Sequence, residues 1–226
     1  MFSIVIPVFN EAENINLLLD EIKSNLISHD YEIIYINDSS TDNTLEILNS
    51  HKTKNNILIL NNKSNKGQSY SIHKGVLNSK YDIIVTIDGD CQNNPADISK
   101  LLETYLSNDE VKLVGGIRKK RKDSYVKIIT SKIANYFRSM ILNDHCPDTG
   151  CSLKVFDKKI FLKFQYFNGI HRFLPSLFEG FGYKSIYVNV DHRPRISGKS
   201  KYGTFNRLFR GIRDIIKVFY ILKIKK

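Results

Sequence analysis

Cysteine is scarce. Cys91, Cys146 and Cys151 are the whole complement, an odd count without zinc-type spacing. That argues for free thiols in a reducing compartment over a Cys146–Cys151 bridge. A secretion leader is not expected, because the apolar start Met1-Phe2-Ser3-Ile4-Val5-Ile6-Pro7 has no basic segment and soon reaches Asn10-Glu11. No apolar run approaches the roughly 20 residues that a membrane-spanning helix needs. The most apolar part of the tail, residues 218–222, is far too short. G-x-G-x-x-G is missing after the first apolar run, and G-x-x-x-x-G-K-[ST] is missing throughout, which speaks against dinucleotide and P-loop sites. There is no internal repeat, low-complexity tract or linker. The 226 residues therefore read as one domain, 1–203, with a C-terminal extension, 204–226.

Hydrophobic residues make up 42% and charged residues 25%, the composition of a globular chain. The net charge of +11 is unevenly placed. From Arg193 to Lys226 there are eleven basic residues and a single acid, Asp214. A second basic block, Arg118-Lys119-Lys120-Arg121-Lys122, is followed by Lys127, Lys132 and Arg138. This asymmetry points to an anionic partner: a membrane surface, a phosphate or a nucleic acid.

Periodicity in the first half alternates strand and helix. Strands are expected over residues 3–9, 31–37, 56–60, 81–88 and 111–117. Helices are expected over 14–27, 41–49 with Ser40 or Thr41 as cap, 67–78, and 95–106 with Pro95 in its first turn. This order predicts an α/β fold with a mostly parallel central sheet and helices on both faces. The second half is less regular. Residues 124–142 read as a helix, 148–156 as a polar turn and strand, 173–181 as a helix, 184–192 as a strand and 193–203 as a basic loop. From Phe205 the chain reads as an amphipathic helix. Phe205, Leu208, Phe209, Ile212, Ile215, Ile216, Phe219 and Leu222 share one face, with Arg207, Arg210, Arg213 and Lys217 elsewhere. That pattern suits an anionic membrane interface.

The early strands share one feature. The first ends at Asn10-Glu11, the second at Asn37-Asp38-Ser39-Ser40, and the fourth at Asp88-Gly89-Asp90. Parallel strands carry all three ends to one edge of the sheet, where open α/β sheets bind ligands. Ile83-Ile84-Val85-Thr86-Ile87 reads as a strand buried on both faces. Two carboxylates one residue apart at its end can hold a hard divalent cation with positions left for phosphate oxygens. Alone, such a pair could equally be a solvated Asp-Gly turn.

In combination these motifs resemble the family-2 glycosyltransferases, in the polyprenyl-phosphate branch that includes dolichol-phosphate mannose synthases and bacterial undecaprenyl-phosphate sugar transferases. The matching residues are Val5-Ile6-Pro7-Val8-Phe9-Asn10-Glu11, Asn37 to Asp42, Asn65-Lys66-Gly67, Asp88-Gly89-Asp90-Cys91-Gln92-Asn93-Asn94-Pro95, Asp148-Thr149-Gly150-Cys151, and Arg195 to Gly203. The resemblance implies a GT-A (Rossmann-like nucleotide-sugar-binding) fold. It also implies a nucleotide-sugar donor, Mg²⁺ or Mn²⁺ as cofactor, and inversion at the anomeric carbon. It places Pro7, Asn10, Glu11, Asp38, Ser40, Lys66 and Gly67 around the donor nucleotide. Asp88, Gly89 and Asp90 belong with the diphosphate, and Asp88, Asp90 and Gln92 with the metal. Gly89 stands where Ala is common.

The resemblance further implies a polyprenyl-phosphate acceptor. Arg118 follows a strand, and Lys127 and Ser131 lie at i and i+4 where relatives set a basic residue and a serine against the acceptor phosphate. Lys127 replaces what is often Arg, which keeps the charge and loses bidentate geometry. Arg195, Ser200 and Lys201 match a late basic loop that folds over the diphosphate. His171, beside Arg172, either contacts the sugar, acts as a base or is structural. A lipid monophosphate is largely ionised near neutral pH, its second pKa being about 6, so it needs orientation rather than a base. The expectation is an enzyme peripheral to the cytoplasmic face of the plasma membrane. A saccharide hydroxyl acceptor and a catalytically silent membrane module are the alternatives. Nucleic-acid binding ranks last, since the tail's cations back an apolar helix rather than a stripe of stacking aromatics.

Overall fold

A computed structural model describes residues 1–52, 56–119, 135–194 and 204–224, with side chains from 211 onward in the last segment. Seven strands form one sheet in the order β3-β2-β1-β4-β6-β5-β7. They are β1 (Phe2–Val8), β2 (Tyr31–Asn37), β3 (Ile57–Asn61), β4 (Ile83–Thr86), β5 (Val111–Arg118), β6 (Lys154–Asp157) and β7 (Lys184–Val190). All neighbours are parallel except at β6, which runs antiparallel to both β4 and β5. The helices are α1 (Ala12–Asn25), α2 (Thr44–Ser50), α3 (Gln68–Leu77), α4 (Asp97–Leu106), α5 (residues 135–142), α6 (Lys158–Phe161), α7 (Leu174–Gly180) and α8 (Thr204–Ile224). A 3₁₀ turn spans Ile170–Arg172.

Near-continuous apolar runs make β1 and β2 central strands. Successive side chains of a strand point to opposite faces, so each strand feeds two cores. Ile4 and Ile6 of β1 and Ile33 and Tyr35 of β2 pack with Ile15, Leu18 and Leu19 of α1 and Leu101 of α4. Val5, Ile34 and Ile36 pack on the other face with Ile72 and Val76 of α3, Leu177 of α7 and Val218 of α8.

Three boundaries move for local reasons. The fourth strand stops at Thr86, the last residue paired with β6 (Thr86 opposite Lys154). Helix α2 begins at Thr44 rather than 41, because Asp42 accepts hydrogen bonds from Thr44 N at 3.0 Å and from its Oγ1. Ser40 and Thr41 are meanwhile engaged by Asn10 and Asn37. Helix α4 begins at Asp97, and Pro95 sits in the turn before it.

The site follows from the strand order. From β1 the chain winds outward to β2 and β3, then returns to β4 on β1's other side. Between β1 and β4 the winding reverses, and the crevice beyond the carboxyl ends of such strands is where doubly wound sheets take ligands.

Candidate functional site

A cavity of about 740 Å³ opens at that reversal point. Pro7 of β1, Lys66 to Gln68 at the start of α3, and Thr86 to Asp88 after β4 line one part. Thr149 to Ser152, Lys154, Asn168 to Arg172 without Ile170, and Arg213 and Asp214 of α8 line the rest. Backbone strain concentrates at the same sheet edge. Asn10, Ser39 and Cys91, each just past the end of β1, β2 or β4, have φ of 54°, 62° and 58°. Non-glycine residues hold such angles only when their surroundings impose them.

Hydrogen bonds hold the Asn10 loop and its neighbours in place. Asn10 N donates to Ser40 Oγ at 2.9 Å, and Thr41 N donates to Asn10 Oδ1 at 2.8 Å. Glu11, itself buried, accepts from Asn14 Nδ2 at 2.7 Å. Asp38 takes the backbone N–H groups of Lys66 and Gly67 at 2.8 and 2.7 Å, and Asn62 Nδ2 at 2.8 Å. Gly67 has φ +86°, open to glycine without cost. Pro7, Lys66, Gly67 and Asp88 thus face the cavity. Asn10, Glu11, Asp38 and Ser40 do not line it; they tie the loops that shape it.

Asp88 accepts from Gln68 Nε2 at 2.7 Å. Desolvation, then the neighbouring Asp90, push its pKa up to about 6, against the pull of a Ser152 hydrogen bond, Lys154 and Arg118. Asp90 is 7% exposed, and its Oδ1 accepts from Gln92 N at 3.2 Å. A carboxylate whose proton affinity is raised by burial and by a second carboxylate beside it suits a divalent cation, which relieves the repulsion. Among the described residues no three His, Cys, Asp or Glu side chains gather into a metal cage. Gln92 donates from Nε2 to Arg193 O at 3.3 Å and accepts Arg193 N at its backbone O at 2.8 Å. It therefore adjoins the start of the late basic segment. Gly89 is packed beneath: a Cβ there would come within 2.5 Å of Val8 Cγ1.

Arg118 is held by Asp148, Nε to Oδ2 and Nη2 to Oδ1 both at 2.7 Å, a bidentate pair beside the Thr149-Gly150 turn. The buried Arg138 fixes the same turn from behind. It pairs with Asp144 at 2.8 Å and donates to Thr149 Oγ1 at 2.9 Å. His171 Nδ1 lies 2.6 Å from Ser69 Oγ, which accepts Gly169 N at 2.7 Å. The Ser69 hydroxyl thus bridges the Gly169 N–H and the His171 ring, and fixes the ring's orientation. Desolvation, then Arg172 and Lys154, lower its pKa to about 3. Lys127, Ser131, Arg195, Ser200 and Lys201 lie outside the described residues.

Several cavity residues escaped the sequence reading, Gln68, Lys154, Arg172, Arg213 and Asp214, as did Ser69 behind His171. Lys154 is 3% exposed in the middle of a sheet and donates to the Cys151 carbonyl. A lysine inside Leu153-Lys154-Val155-Phe156 was its only signal. Asp214 pairs with Arg172 at 2.6 Å. Its signal was being the one acid in a basic tail.

The family model described as Glycosyl transferase family 2 matches residues 3–164. The chain is 33% identical over 230 residues to the dodecaprenyl-phosphate galacturonate synthase of Rhizobium johnstonii, covering 99% of this chain and 68% of that protein. It is 31% identical over 207 residues to the undecaprenyl-phosphate 4-deoxy-4-formamido-L-arabinose transferase of Aeromonas hydrophila, covering 90% of this chain and 63% of that one. The chain thus spans about two-thirds of the length of these relatives. Among solved structures, glucosyl-3-phosphoglycerate synthase of Mycobacterium tuberculosis in complex with Mg²⁺ and uridine diphosphate superposes with a TM-score of 0.71. The match covers 98% of this chain and 79% of that one at 16% identity, a likeness of fold.

Proposed function

The chain belongs to glycosyl transferase family 2 and has the GT-A fold, and from that premise we propose that it transfers a sugar from a nucleotide-sugar donor to a polyprenyl phosphate. The observation that carries the reading is the Asp88/Asp90 pair at the β1/β4 reversal, with Asp88 on a cavity whose remaining wall carries Lys154, Arg172 and Arg213. An acidic end suits a cation-bound diphosphate, and a cationic wall suits a second, anionic reactant. The names of the two relatives, both polyprenyl-phosphate enzymes, support the same acceptor.

Asp88 and Asp90 would hold Mg²⁺ or Mn²⁺, which when bound would supply positive charge against the departing diphosphate. Lys66 and the Gly67 backbone, fixed by Asp38, lie beside that diphosphate. The acceptor phosphate attacks the anomeric carbon with an oxygen already ionised. The anomeric C–O bond to the diphosphate breaks, the nucleoside diphosphate leaves with the electron pair, and configuration inverts. No proton moves, so no side chain acts as base. His171 presents Nε2–H to the cavity and serves as a neutral donor that orients an oxygen of the bound sugar. Gln92 links the ion site to Arg193, where the basic segment begins, and Arg195, Ser200 and Lys201 of that segment serve the donor diphosphate. Lys127, Ser131 and the cationic wall receive the acceptor.

No described helix is long and apolar enough to cross a membrane. The 204–226 segment places the enzyme against the anionic cytoplasmic face of the plasma membrane. The test incubates the full chain with labelled nucleotide sugars, Mg²⁺ and undecaprenyl phosphate. Label extracted with the lipid supports the reading. Label that enters only a saccharide hydroxyl refutes it.

A further inference from the structure

Helix α8 has two faces with different tasks. One enters the protein. Asp214 pairs with Arg172, Val218 is fully buried, and Leu222 lies against Gly180, where a Cβ would come within 2.5 Å of it. The other face is an apolar ridge of Ile212, Ile216, Tyr220 and Ile224, one side chain per turn, 49%, 51%, 59% and 85% exposed. Arg213, Lys217 and Lys223 accompany the ridge. Exposed large apolar side chains in a row with cations beside them fit the interface of an anionic bilayer. There the ridge enters the acyl boundary and the cations meet lipid phosphates.

Arg213 differs from the other two cations. Lys217 lies over the Phe167 ring at 5.3 Å and Lys223 over the Phe219 ring at 4.7 Å. Arg213 is both exposed and part of the cavity lining, so it stands at the rim. Of the other cations at or near the cavity, Arg118 is engaged by Asp148, Arg172 by Asp214 and Lys154 by the Cys151 carbonyl, while Lys66 stands at the start of α3, on the side assigned to the donor. Arg213 has no carboxylate partner among the described residues.

We infer that Arg213 binds the phosphate of the lipid acceptor at the cavity rim, at headgroup depth, while the isoprenoid chain stays among the bilayer lipids and not on the protein. The inference rests on the polyprenyl-phosphate reading above. One helix then does two jobs: its outer face sets the depth of the enzyme in the membrane, and its rim residue takes the nucleophile there. A guanidinium suits this because it can grip a phosphate with two parallel hydrogen bonds. A phosphate handed over at the interface does not require the hydrocarbon to leave the bilayer.

Two variants of the full chain separate the jobs. Calorimetric titration with farnesyl phosphate, a short isoprenyl monophosphate, reads the rim alone. Flotation with vesicles of phosphatidylcholine and phosphatidylglycerol reads the ridge. Arg213→Gln should weaken farnesyl phosphate binding about tenfold or more, the loss of a charge-assisted pair, and Arg213→Lys should restore part of it. Ile216→Ser/Tyr220→Ser should lose vesicle flotation and bind farnesyl phosphate as the wild type does. Unchanged affinity in Arg213→Gln, with the wild type binding, overturns the rim assignment alone. Weakened farnesyl phosphate binding in the ridge variant overturns the division between the faces. A wild type that binds no isoprenyl phosphate in solution or in vesicles overturns the acceptor reading itself.

Discussion

His171→Gln distinguishes an orienting donor from a base. Ser69 Oγ holds Nδ1 at 2.6 Å, and in the proposed arrangement Nε2–H is the group that meets the sugar. A glutamine sets an amide N–H near the place of Nε2–H. The variant should therefore lose no more than a neutral hydrogen bond, about 0.5–1.5 kcal/mol or roughly 2- to 12-fold in kcat/KM. Removing a general base costs about 10²–10⁴-fold. Stability gives a second reading. The folded pKa, lowered to about 3, lies below the ordinary 6.5. As pH falls, the unfolded chain takes up the proton first. The contribution is fully present above about pH 6.5 and is lost progressively from there down to about pH 3. From pH 8 to pH 5 the loss is about 2 kcal/mol, an upper figure because the ring keeps some contact with cavity solvent. In a chain of this size that is about 4–8 °C in Tm. Thermal unfolding of wild type and His171→Gln at the two pH values, with initial rates at pH 7.5, measures both. The wild type should lose that much more Tm on acidification than the variant. Equal pH dependence, or a rate loss beyond a hundredfold, would refute the assignment.

Three further outcomes follow from the packing around the site. Mn²⁺ at ten times its Kd should stabilise the wild type by about 1.4 kcal/mol and leave Asp90→Ala unmoved in a thermal-shift assay; equal shifts would place the ion elsewhere. Arg138→Leu strands Asp144, whose side chain is fully buried, and should cost about 3–5 kcal/mol in urea unfolding; a loss below about 1 kcal/mol would mean the pair is not what holds the Thr149 turn. Gly89→Ala forces a methyl against Val8 and should cost about 1–3 kcal/mol. Much of that cost should vanish in a Val8→Ala background, and a cycle that shows no coupling would contradict the contact.

The central strands were legible because their burial is two-sided and their composition shows it. The Asp88-Gly89-Asp90 end was legible because polar residues at a strand's exit stand out against an apolar run. Strand β6 was legible only as a strand. Its four residues carry no signal of direction, and its antiparallel setting is decided by β4 and β5, far away in sequence. The hold of Asp38 on the Lys66 and Gly67 N–H groups was hidden for a related reason: nothing in a sequence shows which backbone groups a carboxylate will meet. Helix α8 shows the limit of periodicity. Its apolar stripe was visible as one face, Ile212, Ile215, Ile216, Phe219 and Leu222 together. Folding divides that arc: Ile215, Phe219 and Leu222 pack on the protein, and Ile212 and Ile216 stay exposed. Asp214 sits on the packed side because Arg172, distant in sequence, waits there for it.

The central claim is that a phosphate, not a hydroxyl, receives the sugar. Phosphorus-31 NMR of the lipid product tests it most directly, with undecaprenyl phosphate, Mg²⁺ and a donor identified from the nucleotide-sugar screen. The account predicts that the lipid's phosphomonoester resonance converts to a phosphodiester as the donor is consumed, with wild type and not with Asp90→Ala. A monoester resonance that persists while the wild-type enzyme consumes the donor would contradict it.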